Sequence, residues 1–210
     1  YMFGLFRTEP DAPKHAGISY LLIDMKAPGI TVKPLRQMTG GAEFNEVFFD
    51  AVRVPAENIV GGRGEGWKVS RATLKHERNL IGDPQLLRTM FDGVVALARR
   101  RNRDGRPAIE RADVRQRLVE IEGYVLSQQY SGYRQLTAAA RGREITMMLP
   151  MMMNKLYSTD TMQRITRLAY ELLGDEGLVM PAGEESGMIL LPDRPGSWTA
   201  QYMFAIANSI

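Results

Sequence analysis

The first sixty or so residues contain short runs rich in β-branched and aromatic residues, bounded by glycine and proline, which is the pattern of strands. Such runs lie at 18–24, 29–35 and 44–54. In the last run, alternation puts Phe44 and Phe48 on one face and Val47 on the other. The spacing of about a dozen residues predicts antiparallel β structure. Because strands this short and few do not form a stable sandwich alone, we expect partner strands in a segment before Tyr1.

After Trp67 the apolar period changes to that of helices. Asp83 and Pro84 look like an N-cap followed by proline in the first turn, and Pro150 suits the first turn of a later helix. The pattern predicts helices at 67–82, from Asp83 to about 103, and at 111–141, 150–173 and 198–210. Long helices with short connections are typical of a bundle. The predicted fold class is α+β, mainly α: a short antiparallel β segment followed by an up-down four-helix bundle.

The glycine-rich segment 61–66 separates the two patterns. It resembles a phosphate-binding loop in glycine density but lacks the Gly-Lys-Ser/Thr ending. We interpret it as a linker, which predicts one domain at 1–62 and a second, helical domain at 63–210. The chain begins at Tyr1 and ends on an apolar run, so we expect both ends to be cut from a longer protein.

Composition excludes several kinds of site. The chain has no cysteine and only two histidines, far apart, so disulfides, thiolate nucleophiles and a structural zinc site are not expected. No run approaches the roughly 18 apolar residues of a membrane span, and no signal peptide is visible. The net charge is only +3 and the basic residues are dispersed, so no nucleic-acid or membrane partner is predicted. A cytoplasmic location is compatible with these features.

One local basic cluster remains open to two interpretations. It consists of Arg99, Arg100, Arg101, Arg103 and Arg106. A phosphate-rich partner could use it, and so could a solvated helix end, where cations suit the helix dipole.

Glu77 is the most informative residue for chemistry. Helical spacing puts it on one face with Trp67, Ser70, Leu74 and Ile81. A carboxylate on a mostly apolar stripe should have a raised pKa, as a general base near neutral pH requires. The alternative is a structural salt bridge. No basic residue lies three or four positions away, so that alternative needs a partner from another helix.

Several segments together resemble the acyl-CoA dehydrogenase family. In chain order they are GISYLLID (17–24) with PGI (28–30), FNEVFFDAVRVP (44–55) followed by Asn58, Gly61 and Gly66-Trp67, RNRDGRP (101–107), and ELLGDEG (171–177). The block at 44–55 is specific, and the two later segments resemble the family's Arg-x-x-Phe-Gly-x-Pro turn and Gln/Glu-x-x-Gly-x-x-Gly loop. The resemblance covers essentially the whole chain. It implies the second half of a middle β domain followed by most of a C-terminal helical bundle.

The resemblance also implies a function: FAD-dependent α,β-dehydrogenation of an acyl-CoA thioester, with electrons passed to an electron-transferring flavoprotein. Glu77 would be the catalytic base, although many members carry that glutamate in a Gly-Gly-Thr-type loop, expected here after Ile210. Arg78 would face the acyl-CoA. Arg101 would reach the FAD pyrophosphate of a neighbouring subunit, while Glu171, Gly174 and Asp175 would contact its adenine end. No metal is implied.

Two departures from the family pattern bear on the cofactor: Asp104 replaces the aromatic residue of the turn, and Ala112 replaces a frequent glutamine. The resemblance implies a homodimer or homotetramer, and a heteromer is compatible with these departures. An acyl-CoA oxidase and a non-catalytic structural subunit remain alternatives. The acyl chain is not fixed by the sequence.

Overall fold

A computed structural model gives the fold of the chain. It describes residues 1–81, 83–100, 105–143, 148–179 and 195–207, and within these ranges it leaves the side chains of 75–81, 148–152, 195 and 196 undescribed. The chain divides into two compact units. Unit 1 comprises 1–37 and 42–80, and unit 2 comprises 38–41 and 81–210. The predicted domain boundary at 62/63 stays a prediction, because the two units are defined only by which residues lie close together.

Unit 1 contains two antiparallel strand pairs. β1 (Met2–Arg7) pairs with β2 (Ile18–Ile23) so that Met2 lies opposite Ile23, and β3 (Ile30–Leu35) pairs with β4 (Phe44–Phe49) so that Ile30 lies opposite Phe49. The predicted antiparallel strands are therefore confirmed. β1 was not predicted, because Gly4 interrupts its apolar run and only pairing with β2 makes it a strand.

Unit 1 also contains the helix α1 (Gly66–Ile81), of which only the last residue, Ile81, is assigned to unit 2. The predicted helix at 67–82 is confirmed to within a residue at its start. The strands of this unit leave many apolar side chains exposed, including Phe3, Val32, Phe44 and Phe48.

Unit 2 is built from the four helices that follow. They are α2 (Pro84–Arg99), α3 (Ala112–Ala140), α4 (Met148–Leu173) and α5 (Pro195–Ala207). α4 packs against the other three, and α2 also packs against α3. Buried side chains from all four make one core, among them Leu87, Val94, Val114, Val125, Ile165, Leu168, Trp198 and Ala205. Along α2 the buried positions recur at three- and four-residue intervals, which gives the helix a continuous apolar stripe.

Local sequence signals set several helix ends. Asp83 caps α2 by accepting a hydrogen bond from the backbone N–H of Gln85 at 2.9 Å, and Pro84 takes the first helical position, as predicted. Gly174 has a left-handed φ of +56° directly after α4, the usual way for a glycine to end a helix. The fold class predicted from the sequence is confirmed: short antiparallel strands precede a four-helix bundle. No helix in the described ranges combines the length and apolarity needed to cross a bilayer.

Candidate functional site

α1 carries the predicted base and its neighbour. Glu77 and Arg78 both lie in its helical backbone, but their side chains fall outside those described. Of the predicted stripe on the same face, Ser70 is buried, whereas Trp67 is 37% and Leu74 41% exposed within this chain. The helical spacing behind the Glu77 prediction is therefore confirmed. The apolar surroundings of Glu77 stay a prediction.

The start of α1 is fixed against β2 by close backbone contact. A Cβ placed on Gly66 would come within 2.4–2.7 Å of the backbone atoms of Ser19 and Tyr20, so only glycine fits without a shift. Two residues before Gly66, the backbone N–H of Gly64 donates to Ser19 Oγ at 2.9 Å. Ser19 Oγ also forms a hydrogen bond with Thr8 Oγ1 at 2.6 Å. Ser19 is completely buried. The helix that carries Glu77 thus begins at a defined point on the strand.

Four further contacts fix the glycine-rich segment and the residue after it within unit 1. Glu65 accepts a hydrogen bond from the backbone N–H of Gly62 at 3.0 Å through its side chain. Arg63 pairs with Glu9 and also donates to a backbone carbonyl at 3.2 Å. Trp67 stacks on His15 with ring centroids 4.0 Å apart and planes 3° apart. Within unit 1, this segment is therefore a turn held by hydrogen bonds that positions the start of α1. Gly66 allows the backbone of the segment to lie against the backbone of β2.

The predicted cofactor residues form a second group, in unit 2. Glu171 lies in the last turn of α4, and Gly174 and Asp175 begin the 3₁₀ turn Gly174–Leu178 that follows. The position of a Cβ on Gly174 would meet nothing within 4 Å, so the backbone there is open to a ligand. Arg101 lies outside the described residues. Its predicted role stays a prediction, as do those of the other three.

Glu171 is held by two guanidinium groups. Arg117 of α3 donates to Oε2, and Arg167, one turn earlier on α4, donates from Nε to Oε1 at 3.1 Å. The hydrogen bond from Arg117, with help from Arg167, lowers the pKa of the Glu171 carboxyl below its ordinary value. The carboxylate is half-exposed, and each oxygen has a second acceptor direction left. It can therefore accept a further hydrogen bond from a ligand donor.

A second ion-pair group lies beside the first. Arg164 donates to Asp160 at 2.7 Å and to Glu120 of α3 at 2.8 Å, and its guanidinium carbon lies 4.8 Å from the centre of the Tyr124 ring. Together the two groups line a groove of about 540 Å³ between α3 and α4. Sequence analysis missed this groove. The pairs Asp160/Arg164 and Arg167/Glu171 sit at the i,i+4 spacing that could have indicated helix ion pairs, but not their partners on α3.

The end of α4 can accept a hydrogen bond from a ligand amine. Glu171, Asp175 and Glu176 place acidic groups at and after its last turn. An ionised carboxylate only accepts hydrogen bonds, so it fits a ligand donor such as an exocyclic amino group. The Glu171 carboxylate can therefore take a ligand amino group, and the contact of these residues with the adenine end of FAD stays a prediction. No group of three or more His, Cys, Asp or Glu side chains in the described part of the chain is arranged to hold a metal ion.

Comparison with known proteins identifies the class to which this fold belongs. Residues 64–196 match the family model described as acyl-CoA dehydrogenase, C-terminal domain. The chain belongs to the acyl-CoA dehydrogenase family, as its sequence predicted. The chain is 32% identical to the acyl-CoA dehydrogenase IpdE1 of Mycobacterium tuberculosis. The match covers 100% of this chain and 50% of IpdE1. The chain is 49% identical to the acyl-CoA dehydrogenase FadE34 of the same organism over 96 residues, 42% of this chain and 14% of FadE34.

A solved structure supports the same fold. The steroid ACAD Tcur3481-Tcur3483 matches with a TM-score of 0.79 and 25% sequence identity, covering 98% of this chain and 50% of that one. The chain thus spans about half the length of IpdE1 and of this structure. The activity of the whole protein and its partners are accordingly matters of proposal.

Proposed function

We propose that the full-length protein is a flavin-dependent acyl-CoA dehydrogenase that introduces an α,β double bond into an acyl-CoA thioester. The observation that carries this proposal is the family match across 64–196, which includes α1 and most of the bundle. Members of this family are flavoproteins that act on acyl-CoA thioesters, and the named relatives are acyl-CoA dehydrogenases.

Glu77 is the proposed catalytic base. Its carboxylate removes the proton from the α carbon of the thioester, and a raised pKa from an apolar site would make it a suitable acceptor near neutral pH. The tight contact of Gly66 with β2 supports this role, because a base must be held at a fixed position to act. Arg78, the next residue, faces the acyl-CoA in this proposal.

Four residues are proposed to hold the FAD of a neighbouring subunit. Arg101 binds the pyrophosphate through its guanidinium group, and Glu171, Gly174 and Asp175 contact the adenine end. The acceptor-only Glu171 carboxylate and the open backbone at Gly174 support the adenine assignment. When bound, FAD supplies the acceptor for the hydride that leaves the β carbon.

The proposed partners follow from the same family. Electrons pass to an electron-transferring flavoprotein, and the protein assembles as a homodimer or homotetramer. A heteromer is the alternative assembly, and one observation supports it: the related solved structure is named as a pair, Tcur3481-Tcur3483. That structure is called a steroid ACAD, so a thioester with a steroid side chain is a candidate substrate for this protein.

The proposal is tested by mixing the full-length protein anaerobically with acyl-CoA thioesters and following the visible absorption of the flavin. Bleaching is expected, and Glu77→Gln should slow it by about 10²- to 10⁴-fold, the usual contribution of a general base. Glu110→Gln, which removes an exposed carboxylate before α3, is the matched control and should bleach at the wild-type rate.

Three results would change the assignment. Wild-type bleaching by Glu77→Gln would move the base elsewhere in the protein. Bleaching that is followed, on admission of oxygen, by rapid turnover with peroxide release would favour the acyl-CoA oxidase alternative. A full-length protein that purifies without flavin and takes none up would favour the non-catalytic subunit.

A further inference from the structure

The Glu171 carboxylate is held in one orientation from two helices. Arg117 reaches across from α3, 54 residues earlier in the chain, and binds Oε2. Arg167 binds Oε1 from within α4. A single arginine would leave the carboxylate free to rotate about its last bond, whereas one donor on each oxygen fixes its plane. The acceptor directions that remain are therefore fixed as well.

We propose that Arg117 and Arg167 are positioning residues that fix the Glu171 carboxylate as an acceptor for an exocyclic amino group, so that the end of α4 selects an adenine dinucleotide over its hypoxanthine counterpart. This inference rests on the proposed flavin function. It concerns how the protein recognises the adenine ring of the cofactor, which the proposed function leaves open.

The selection follows from hydrogen-bond chemistry. Adenine presents an amino group at position 6, which donates to a carboxylate. Hypoxanthine presents a carbonyl oxygen there, and two acceptors facing each other repel. A glutamine at position 171 could turn its amide to satisfy either base, so it would not discriminate. The two arginines also keep the pKa of Glu171 low, which maintains the acceptor-only form in weakly acidic solution.

Arg164 provides a matched control in the same groove. It carries the same charge, comes from α4, and its ion pairs are with Asp160 and Glu120. Loss of Arg164 should therefore disturb the groove and its charge about as much as loss of Arg117 does. Only loss of Arg117 should release the Glu171 carboxylate.

The test measures binding of FAD and of flavin hypoxanthine dinucleotide to the full-length apoprotein, without turnover. Wild type is expected to prefer FAD by about tenfold to a hundredfold, the strength of one hydrogen bond to a charged group. Glu171→Gln should bring the ratio of the two dissociation constants close to one. Arg117→Met should lower it several-fold, Arg117→Lys should restore most of it, and Arg164→Met should leave it at the wild-type value.

The pH profile of that ratio gives a second readout. In wild type the preference should persist until the pH falls below the ordinary range of a glutamate and Glu171 takes up a proton. In Arg117→Met the preference should be lost at a higher pH, because the bond that most strongly lowers the pKa of Glu171 is gone. A groove that is merely disturbed would not shift the profile.

The outcomes separate the two levels of the proposal. Tight FAD binding by wild type with no preference, or equal effects of Arg117→Met and Arg164→Met on the ratio, would overturn the positioning role and leave the flavin function standing. Failure of the wild-type protein to bind either dinucleotide would overturn both. Should Arg117→Met not fold, a ratio for Arg117→Lys that matches Glu171→Gln would also overturn the role.

Discussion

The two tryptophans of the chain sit in contrasting surroundings, one in each unit. Trp198, on α5, is 2% exposed and belongs to the bundle core. Trp67, at the start of α1, is partly exposed and lies flat on His15. The core around Trp198 is built by apolar side chains from four helices. The segment around Trp67 is built mainly by backbone contact and hydrogen bonds at Gly64 and Gly66.

This contrast teaches that the two units are stabilised differently. Burial of apolar surface dominates in the bundle, where a deleted methylene leaves a cavity. In unit 1 the strands are paired only in twos and expose large apolar side chains, and such pairs are marginally stable alone. Substitutions of the same type should therefore have different costs in the two units.

The largest expected effect compares one leucine from each unit. Leu168 of α4 is 1% exposed in the bundle core, and Leu35 of β3 is 45% exposed. Leu168→Ala should lower the free energy of unfolding by about 2–5 kcal/mol, because it removes buried methyl groups and leaves a cavity. Leu35→Ala should cost no more than about 0.5 kcal/mol, as exposed substitutions do.

Urea unfolding of the 210-residue chain, followed by circular dichroism, measures both free energies. Repeating it on the full-length protein sharpens the comparison. A larger cost of Leu35→Ala there would indicate that another segment covers β3. Equal costs of the two substitutions in the short chain would break the comparison itself.

A smaller effect is expected at the first residue of α1. Gly66→Ala puts a Cβ against the backbone of β2, and such overpacking costs about 1–3 kcal/mol. Gly123→Ala is the matched control, because a Cβ at this position in α3 meets nothing within 4 Å. The control should be neutral or stabilising by up to about 1 kcal/mol, from the better helix propensity of alanine.

The local effect of Gly66→Ala can be measured by the fluorescence of a single tryptophan. In a Trp198→Phe background the emission of Trp67 reports on the start of α1, and Gly66→Ala should alter it before global unfolding begins. Unchanged Trp67 emission together with unchanged stability would show that the contact of Gly66 with β2 is loose.

The smallest effect is electrostatic and concerns Glu171. Its pKa is lower in the folded than in the unfolded chain, so the folded state binds fewer protons as the pH falls. The stabilisation from its ion pairs should be fully present above the ordinary pKa of a glutamate and lost as the pH falls through the lowered value. Because the side chain is half-exposed, it should amount to less than about 1 kcal/mol.

Comparison of wild type with Glu171→Gln checks this dependence. The difference in unfolding free energy between the two should shrink as the pH is lowered from neutrality into the acid range. A difference that stays constant with pH would mean that the ion pairs of Glu171 do not contribute to stability.

The sequence predicted most of the fold because the relevant signals are local. Asp83 and Pro84 start α2 where the N-cap and proline rules place them, and Gly174 ends α4 with a positive φ. Helix period and the apolar stripes then specify the bundle. β1 escaped prediction because its strand character depends on pairing with β2 more than on its own residues.

The candidate site was only partly predictable, because its contacts join residues far apart in the chain. Glycine density at 61–66 indicated a linker, while the need for glycine at 66 comes from the backbone of Ser19 and Tyr20, more than forty residues earlier. The pairing of Glu171 with Arg117 across α3 and α4 likewise has no local signal. Positions 77 and 171 could be proposed from family motifs, but not the two arginines that hold Glu171.

The close contact between Gly66 and the backbone of β2 has a consequence for engineering this protein. Gly66 contacts main-chain atoms of β2, so exchanges of the β2 side chains other than Ser19, which bonds Gly64, need not move the first turn of α1. Such exchanges would change the surface of the strand while the start of the helix that carries residue 77 stays in place. At position 66 itself, any side chain larger than a hydrogen atom would have to displace the strand or the helix.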